Sequence, residues 1–384
     1  MTGRVRAAVA LSFLLNGFAF ASWASRIPDA RHGLGLSAPE LGLLLLAASG
    51  GSVLALPLTG LLVHRLGATR VVQIGTLGAG IGVSGIALAT SMAGSVPATA
   101  VAMFVYGVGT SLWDVAMNVE AAAVERALNR SVMPRFHAAF SLGTVAGAGL
   151  GALMSKLSPD LVWHLPPVGL VAVVCSLAAT RAFVPTRAET DPGRGAPSGV
   201  RAAWLERRTL LIGLVVLAMA LTEGTANDWL AVGLHDGYDV SRPVAVVGYA
   251  LFVASMTLGR LAGPVLLDRF DRVGVLFGTM AAAGAGVVLT VLGGSAWLAV
   301  PGIVAWGLGA SLGFPVGMTA AADDPARAAA RVSVVSTIGY GAFLIGPPLL
   351  GFVAGHVGTL HALLVLLAFV VPAVLAVPAI RRPR

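Results

Sequence analysis

The sequence predicts an all-α membrane protein in which twelve transmembrane helices form two six-helix bundles. Hydrophobic residues make up 57% of the 384 residues and charged residues only 11%, and the mean hydropathy is +0.88. A helix needs about 20 largely apolar residues to cross the hydrocarbon core of a bilayer. Twelve such stretches take up nearly all of the chain. They are continuously apolar and do not alternate, which favours helices over the strands of a membrane barrel.

The twelve stretches fall into two sets of six on either side of a charged segment rich in Pro and Gly. We expect an N-terminal six-helix bundle at 1–183, a flexible cytoplasmic linker at 184–208 and a C-terminal six-helix bundle at 209–384. The expected spans, numbered 1 to 12 in chain order, are 7–26, 39–63, 71–92, 96–122, 136–157, 161–183, 209–234, 244–266, 273–293, 296–321, 332–354 and 359–380.

Lys and Arg are distributed unevenly between the two sides of the membrane. With the N-terminus inside, twenty basic residues fall on the cytoplasmic side and four, namely Arg26, Arg31, Lys156 and Arg242, fall on the other. Cytoplasmic loops of membrane proteins carry an excess of basic residues, so both termini are expected in the cytoplasm. The same bias explains the formal charge of +8 without a nucleic-acid partner.

The two halves contain a repeated segment. Tyr106–Leu112 reads YGVGTSL and Trp306–Leu312 reads WGLGASL, 200 residues later, and each lies in the fourth helix of its half. Six helices per half give both repeats the same orientation, which is typical of two-bundle transporters that rock around a central site.

Several ionisable residues lie inside the predicted spans, where they are costly and usually functional. Glu223 lies near the middle of span 7 and shares a helix face with Asn227. We expect Glu223 to carry a proton or bind the solute, or else to bond to a neighbouring helix. Asp228 lies towards the outer mouth and either binds the solute or, as we prefer, pairs with Arg26 or Arg242 at a closed gate.

Polar residues in the first half suggest the opposite wall of a solute site. Asp114 and Asn118 lie one helical turn apart in span 4 and are expected to line a cavity or to bond between helices. Asn16 lies in span 1 with Trp23 above it, a pairing that suits a hydroxylated ligand, although Trp23 could equally anchor the chain at the membrane interface. Arg260 in span 8 could bind an anion, reach the cytoplasmic surface, or form an inter-helix ion pair.

The loop after span 2 reads Gly60-x-x-x-His64-Arg65-x-Gly67-x-x-Arg70. It resembles the cytoplasmic signature of the major facilitator superfamily, with His64 where that family has an acid. A second copy, Gly263-x-x-x-x-Asp268-Arg269-x-Asp271-Arg272, follows span 8, with one extra residue and Asp271 in place of the usual glycine. The resemblance covers the whole chain and implies the major facilitator fold. It also implies a cytoplasmic latch, to which we assign Arg65, Arg70, Arg260, Asp268, Arg269 and Arg272.

More specific motifs are similar to the YbjJ type of bacterial inner-membrane proteins, near the fucose–proton symporter branch. They are Asn16-Gly17-Phe18, Trp23-x-x-Arg26-x-Pro28, Asp114-x-x-x-Asn118, His137-x-x-x-Ser141, Glu223-Gly224, Asp228-Trp229, Phe314-Pro315, Gly339-Tyr340 and Gly346-Pro347-Pro348. This resemblance implies a multi-pass transporter of the bacterial cytoplasmic (inner) membrane without fixing its substrate.

The sequence favours a secondary active transporter over other classes. It has no Walker-type phosphate loop, so ATP-driven transport is not expected, and the acids within the spans favour protons as the coupling ion. We expect a monomer that takes up a small polar or sugar-like molecule; the main alternative is proton-driven export of amphipathic compounds or drugs. A membrane enzyme or a non-transporting sensor is less favoured. With Cys175 as the single cysteine and the histidines at span ends, no cofactor or metal is expected.

Overall fold

The computed structural model describes residues 2–128, 132–183, 197–324 and 327–381, and these residues are almost entirely helical, with no strand among them. Twelve helices in this part are long and apolar enough to span a membrane, which confirms the predicted fold class. Their bounds are Gly3–Leu34, Ala38–Leu66, Ala68–Ser91, Val96–Leu128, Met133–Leu157, Leu161–Thr180, Arg207–Tyr238, Arg242–Arg269, Arg272–Leu292, Ala296–Ala321, Ala330–Val357 and Thr359–Ile380.

Several spans are interrupted. Span 1 consists of the helices Thr2–Ala24 and Ile27–Leu34, and span 10 consists of Ala296–Ala310 and Gly313–Ala321. Span 7 contains a π-helical turn, and spans 6 and 12 contain 3₁₀ turns. The segments of these three spans are Arg207–Thr225, Ala226–Leu230 (π) and Ala231–Tyr238, then Leu161–Trp163 (3₁₀) and Leu165–Thr180, then Thr359–Ala362, Leu363–Leu366 (3₁₀), Leu367–Ala376 and Val377–Ile380 (3₁₀).

The start of span 2 and its turn into span 3 follow from local chemistry. Ser37 and Glu40 form a capping box, in which each side chain bonds to the backbone of the other residue and satisfies free N–H groups at the helix start. Gly67 is the single residue between spans 2 and 3, and its φ of 84° lies in the left-handed region that favours glycine. The second glycine of the signature therefore makes a one-residue turn possible.

Part of the predicted linker is helical. Residues 184–196 of that linker lie outside the described residues, whereas Pro197–Leu205 form a nine-residue helix just before span 7. Ala203 on this helix is buried against Ala330 and Val334 of the span 11 helix. The end of the linker is thus packed onto the helices that follow it.

The described residues group into two compact units. One lies within Met1–Thr190 and Ser241–Ala250, and the other within Asp191–Val240 and Leu251–Arg384. The first unit contains spans 1 to 6, and the second contains span 7 and spans 9 to 12. The beginning of span 8 groups with the first unit, although the sequence assigned all of it to the C-terminal bundle.

The repeated segments make matching contacts in their own units. In the first unit, a Cβ added to Gly107 of span 4 would lie 2.0 Å from the carbonyl oxygen of Ala48 in span 2. In the second unit, a Cβ added to Gly307 of span 10 would lie 2.5 Å from the carbonyl oxygen of Phe252 in span 8. Only glycine permits so close an approach of two helix backbones in lipid.

Two residues further along each helix, a second pair of glycines makes matching backbone contacts in the two units. A Cβ on Gly109 would lie 2.2 Å from the backbone nitrogen of Ala79 in span 3, and one on Gly309 would lie 2.3 Å from the backbone nitrogen of Ala283 in span 9. In both units, therefore, the fourth helix is in backbone contact with the second and third helices. These contacts explain why glycines recur at an offset of 200 residues.

Candidate functional site

An ion pair within the membrane-spanning helices is the main polar feature of the second unit. Arg260 of span 8 donates from its Nη2 atom to Oε1 and Oε2 of Glu223 in span 7, each at 2.9 Å. The side chains are 28% and 22% exposed, respectively, so the pair is open on one side. Of the alternatives for Arg260, the structure shows the inter-helix ion pair and not a side chain that reaches the cytoplasmic surface.

The π-helical turn begins three residues after Glu223 and carries two more of the predicted residues. Asn227 and Asp228 lie on Ala226–Leu230, where the backbone bonds slip by one residue. Such turns inside α-helices occur frequently at functional sites. The buried hydroxyl of Thr225 has no hydrogen-bond partner in the structure. An unpaired hydroxyl therefore lies two residues from Glu223, directly before the turn.

In the first unit, Asp114 and Asn118 are bonded to each other along span 4. Asn118 donates from Nδ2 to the backbone oxygen of Asp114 at 2.9 Å and lies 3.5 Å from its Oδ1 atom. Ser111, on the same helix face, instead donates to the carbonyl oxygen of Ser52 in span 2 at 3.0 Å. Ser111 thus serves helix packing, while both oxygens of the Asp114 carboxylate keep the capacity to accept further bonds.

Asn16 and Trp23 are both buried in the first unit. Their exposed fractions are 3% and 5%, and the Nδ2 atom of Asn16 has no hydrogen-bond partner in the structure. Burial argues against Trp23 as an anchor at the lipid–water interface, which was one of its two predicted roles. A buried amide without a partner is uncommon, and Asn16 is therefore a donor available to a ligand or to water.

A buried charge cluster lies at the break in span 1. Arg26 is fully buried, and its Nε atom lies 2.9 Å from Oδ2 of Asp29. Its Nη2 atom donates to the carbonyl oxygens of Ser158 and Pro159 at 2.9 and 2.8 Å. Arg242, at the start of span 8, lies 3.0 Å from Oδ1 of Asp29. The carboxylate of Asp29 therefore forms ion pairs with both arginines.

This cluster bears on the preferred role of Asp228. The sequence favoured a pair between Asp228 and either Arg26 or Arg242, and within the first unit both arginines bind Asp29. The gate pair of Asp228 stays a prediction. Sequence reasoning missed Asp29. The available signal was its spacing, because an acid three residues after Arg26 on a new helical turn can bond to it locally.

Of the predicted latch residues other than Arg260, Arg272 forms an ion pair, and the other four form none with any described residue. Arg272 binds Asp323 through both of its terminal nitrogens, and Arg208 donates to the same carboxylate at 2.8 Å. Burial raises the pKa of Asp323, but the bonds and charges of the two arginines outweigh burial and hold the pKa below its ordinary value. Asp271, in place of the usual glycine, caps the helix of Arg272 by accepting from the backbone N–H groups of its first turn.

The remaining latch residues lie at the surface. Arg65, Arg70, Asp268 and Arg269 are exposed, and within the described ranges none of them takes part in an ion pair. Sequence reasoning also missed a second pair on the same side. Arg331 binds Glu206 through Nε at 2.7 Å and Nη2 at 2.6 Å, and these bonds lower the pKa of Glu206.

The part of the chain that the structure describes has no place where three His, Cys, Asp or Glu side chains meet as a metal site would require. The predicted site residues form the Glu223–Arg260 pair with the π-helical turn, the Asp114–Asn118 pair, and the buried amide of Asn16. Acids and amides of this kind can bind hydroxyl groups and exchange protons.

Comparisons with known proteins agree with the fold. The family model described as Major Facilitator Superfamily matches residues 9–347. An uncharacterised MFS-type transporter of Yersinia pestis is 34% identical over 348 residues, which cover 90% of this chain and 87% of that protein. The membrane protein MosC of Rhizobium meliloti is 26% identical over 366 residues, which cover 94% of this chain and 86% of that protein.

Solved structures of transporters share the architecture at low identity. The nucleoside transporter NupG aligns with a TM-score of 0.76 at 13% identity and covers 99% of this chain and 100% of its own. A variant of the E. coli fucose:proton symporter FucP has a TM-score of 0.66 at 14% identity, with 98% of each chain covered. A D-xylose-proton symporter has a TM-score of 0.72 at 13% identity and covers 98% of this chain and 96% of its own.

Proposed function

Because the chain belongs to the Major Facilitator Superfamily, we propose that it is a secondary active transporter that couples proton entry to the uptake of a small polar, sugar-like solute. The observation that carries this proposal is the Glu223–Arg260 pair, a half-buried acid and base inside membrane-spanning helices. Ionisable groups at this depth usually mark a solute or proton pathway. Two of the structural relatives are a fucose:proton symporter and a D-xylose-proton symporter, which supports the class of solute.

The proposed chemistry begins with proton exchange at Glu223. While Glu223 is ionised, it neutralises Arg260. When Glu223 takes a proton, the ion pair weakens and the guanidinium becomes available to the solute. Because a charge within a span is costly, binding of a proton and binding of a solute at this place affect each other, and such coupling is what a symporter needs.

The first unit supplies the proposed contacts to solute hydroxyl groups. Asp114 has an accepting carboxylate, Asn118 an amide, and Asn16 a buried donor without a partner. Asn227 and Asp228 on the π-helical turn are the proposed polar contacts of the second unit. We propose that the solute is moved by alternating access to the two sides of the membrane, as is typical of transporters built from two related bundles.

Reconstituted vesicles test this proposal. Purified full-length protein in proteoliposomes that contain a pH-sensitive dye should admit protons when a sugar, a sugar acid or a nucleoside is added outside. Glu223→Gln should abolish this proton entry. Glu40→Gln is the matched control, because it removes an exposed carboxylate while a glutamine can still serve the capping box.

The outcomes separate the candidate functions. Proton entry with an added solute, lost in Glu223→Gln but not in Glu40→Gln, supports symport. Proton movement in the opposite direction to that of an amphipathic compound would identify the exporter instead. No proton movement with any solute, and no effect of Glu223→Gln, would contradict proton-coupled transport.

We propose further that the protein works as a monomer in the bacterial inner membrane, with both termini in the cytoplasm. The basic residues support this orientation, and the relatives are bacterial. A fluorescent protein fused to the C-terminus, one that matures only in the cytoplasm, should become fluorescent. Absence of fluorescence in a fusion that is produced at a normal level would place the C-terminus outside the cytoplasm and contradict this orientation.

A further inference from the structure

The Glu223–Arg260 pair uses only part of the arginine. A guanidinium has five N–H donors in a planar fork, yet a single nitrogen, Nη2, makes both bonds to Glu223. The other arginine–glutamate pair of this unit provides a comparison: Arg331 uses Nε and Nη2 on separate oxygens of Glu206. The Nε and Nη1 atoms of Arg260 donate to no described residue. Because the side chain is 28% exposed, this edge of the fork is free to bind another group.

Glu223 is the only acid that neutralises Arg260 in the described ranges. Of the basic residues in the spans of the second unit, Arg260 lies farthest from a span end, eighteen residues after Arg242 and nine before Arg269. Asp228, five residues along span 7 from Glu223, makes no ion pair with a described residue. Protonation of Glu223 would therefore leave the charge of Arg260 uncompensated.

The helices packed around Glu223 offer almost no other charged groups. Span 10 has no ionisable side chain, span 11 has only Tyr340 between Arg331 and His356, and span 12 has only His361 at its start. Tyr340 and Phe343 have their ring centroids 6.3 Å apart, and Phe343 lies beside Gly224. Apart from Asp228, these surroundings are aromatic and apolar, and no second carboxylate pairs with Arg260 among the described residues.

On the basis of the proposed function, we infer that the transported solute is an anion with one carboxylate on a hydroxylated skeleton, bound by the free edge of Arg260 when Glu223 is protonated. The charges balance: the Glu223 carboxylate gains one proton, and the solute carboxylate takes its place as the counter-charge of Arg260. Arginine suits this role because its fork matches a carboxylate in two parallel bonds. One proton then moves with each anion, and no net charge crosses the membrane.

A neutral sugar cannot fulfil this requirement. Its hydroxyl groups could accept bonds from Arg260, but protonation of Glu223 would still leave an unpaired cation inside the spans, which is strongly unfavourable. The site therefore distinguishes gluconate or glucuronate from glucose, three compounds of similar size that differ in the carboxylate.

Binding to the purified full-length protein tests the inference with D-gluconate, D-glucuronate and, as the neutral match, D-glucose. Thermal shift should show that the two carboxylates stabilise the wild type at acidic but not at alkaline pH. For one linked proton, the apparent Kd should rise about tenfold per pH unit once Glu223 is ionised. Glu223→Gln, which resembles the protonated acid, should bind the carboxylates at every pH with a slope near zero.

Two further variants complete the design. The double variant Glu223→Gln/Arg260→Gln replaces the ion pair with two neutral amides, leaves no unpaired charge, and should lose the response to carboxylates. Lys156→Gln is the matched control, since it removes an exposed cation at the end of span 5 and should respond as the wild type does. Because the double variant has no unpaired charge at positions 223 and 260, the comparison does not depend on whether Arg260→Gln alone folds.

Three results would overturn the inference. In the thermal-shift experiment, these are that no carboxylate raises the melting temperature of Glu223→Gln, or that glucose stabilises the wild type and the double variant alike. In proteoliposomes, it is that carboxylate uptake responds to an imposed membrane potential. The first two concern the anion only. If glucose drives proton entry that Glu223→Gln abolishes, the proposed symport stands and the inference about the anion fails. If no solute moves protons, both fail.

Discussion

Replacement of Asp29 by asparagine should destabilise the first unit strongly, because Asp29 is the only acid among the described residues that forms an ion pair with Arg26. The two side chains are almost completely buried, with exposed fractions of 0% for Arg26 and 1% for Asp29. Breaking a buried ion pair by removal of one partner costs about 3–5 kcal/mol, since the other charge remains buried. Arg26 keeps two carbonyl acceptors, on Ser158 and Pro159, so we expect about 3 kcal/mol, the lower end of that range.

The matched control is Arg242→Gln. The Arg242 side chain is 23% exposed and can turn to water when it loses Asp29, so its removal should cost about 0–1 kcal/mol, as for other exposed pairs. The free energy of unfolding can be measured in mixed micelles by titration with a denaturing detergent, with helical circular dichroism as the signal. A double-mutant cycle with Arg26→Gln then isolates the pair energy.

Equal and small losses for Asp29→Asn and Arg242→Gln would refute this reasoning. They would mean that the carbonyl groups alone neutralise Arg26, and that the carboxylate adds nothing. A large coupling energy between positions 26 and 29, with little coupling between 29 and 242, is the expected result.

Other predictions concern the second unit. Gly309→Ala should cost about 1–3 kcal/mol of stability because its Cβ would overlap a backbone atom. Gly278→Ala, in open space on a helix, should stabilise the protein by about 0.4–1 kcal/mol in the same unfolding assay. Equal effects of the two substitutions would contradict the close packing at Gly309. The pKa of Asp323 is held below its ordinary value, so the stability it contributes is complete above the ordinary aspartate pKa and is lost as the pH falls through the lower folded value. When the free energy of unfolding is measured as the pH is lowered, the wild type should show this loss of stability and Asp323→Asn should not. An unchanged pH profile in Asp323→Asn would argue against the ion pair. Asp271→Ala should cost about 0.5–2 kcal/mol through loss of a helix cap, while exposed Asp268→Ala should stay within about 0.5 kcal/mol.

The spans could be predicted because their length and apolarity are properties of the sequence alone. Every expected span from 7–26 to 359–380 has a helix at its place in the structure. The turn at Gly67 and the cap at Asp271 also carry local signals, a glycine between two helices and an aspartate directly before an apolar run. The π-helical turn at Ala226–Leu230 could not be predicted, since a slip in backbone bonding leaves no mark in composition or period.

The partners of the charged residues were harder to predict than the helices. Whether Arg260 would reach Glu223, an anion or the surface depends on the rotation of two helices about their axes, and the sequence left these alternatives open. Sequence reasoning looked for the partner of Arg26 on another span and overlooked Asp29, which lies three residues further along the same span. Asp323, Glu206 and Arg331 were missed because they lie at span ends, where charged residues are common and carry little information.

The close backbone contacts at Gly107 and Gly307 have a consequence for how the sequence of this protein can evolve. Helices held together by main-chain contact do not depend on the chemistry of the side chains elsewhere on them. These close backbone contacts do not involve Glu223, Arg260 or Asp114. Point substitutions at such positions can therefore alter which solute is bound while the spacing of the helices persists, so that one scaffold can be adapted to a range of small molecules.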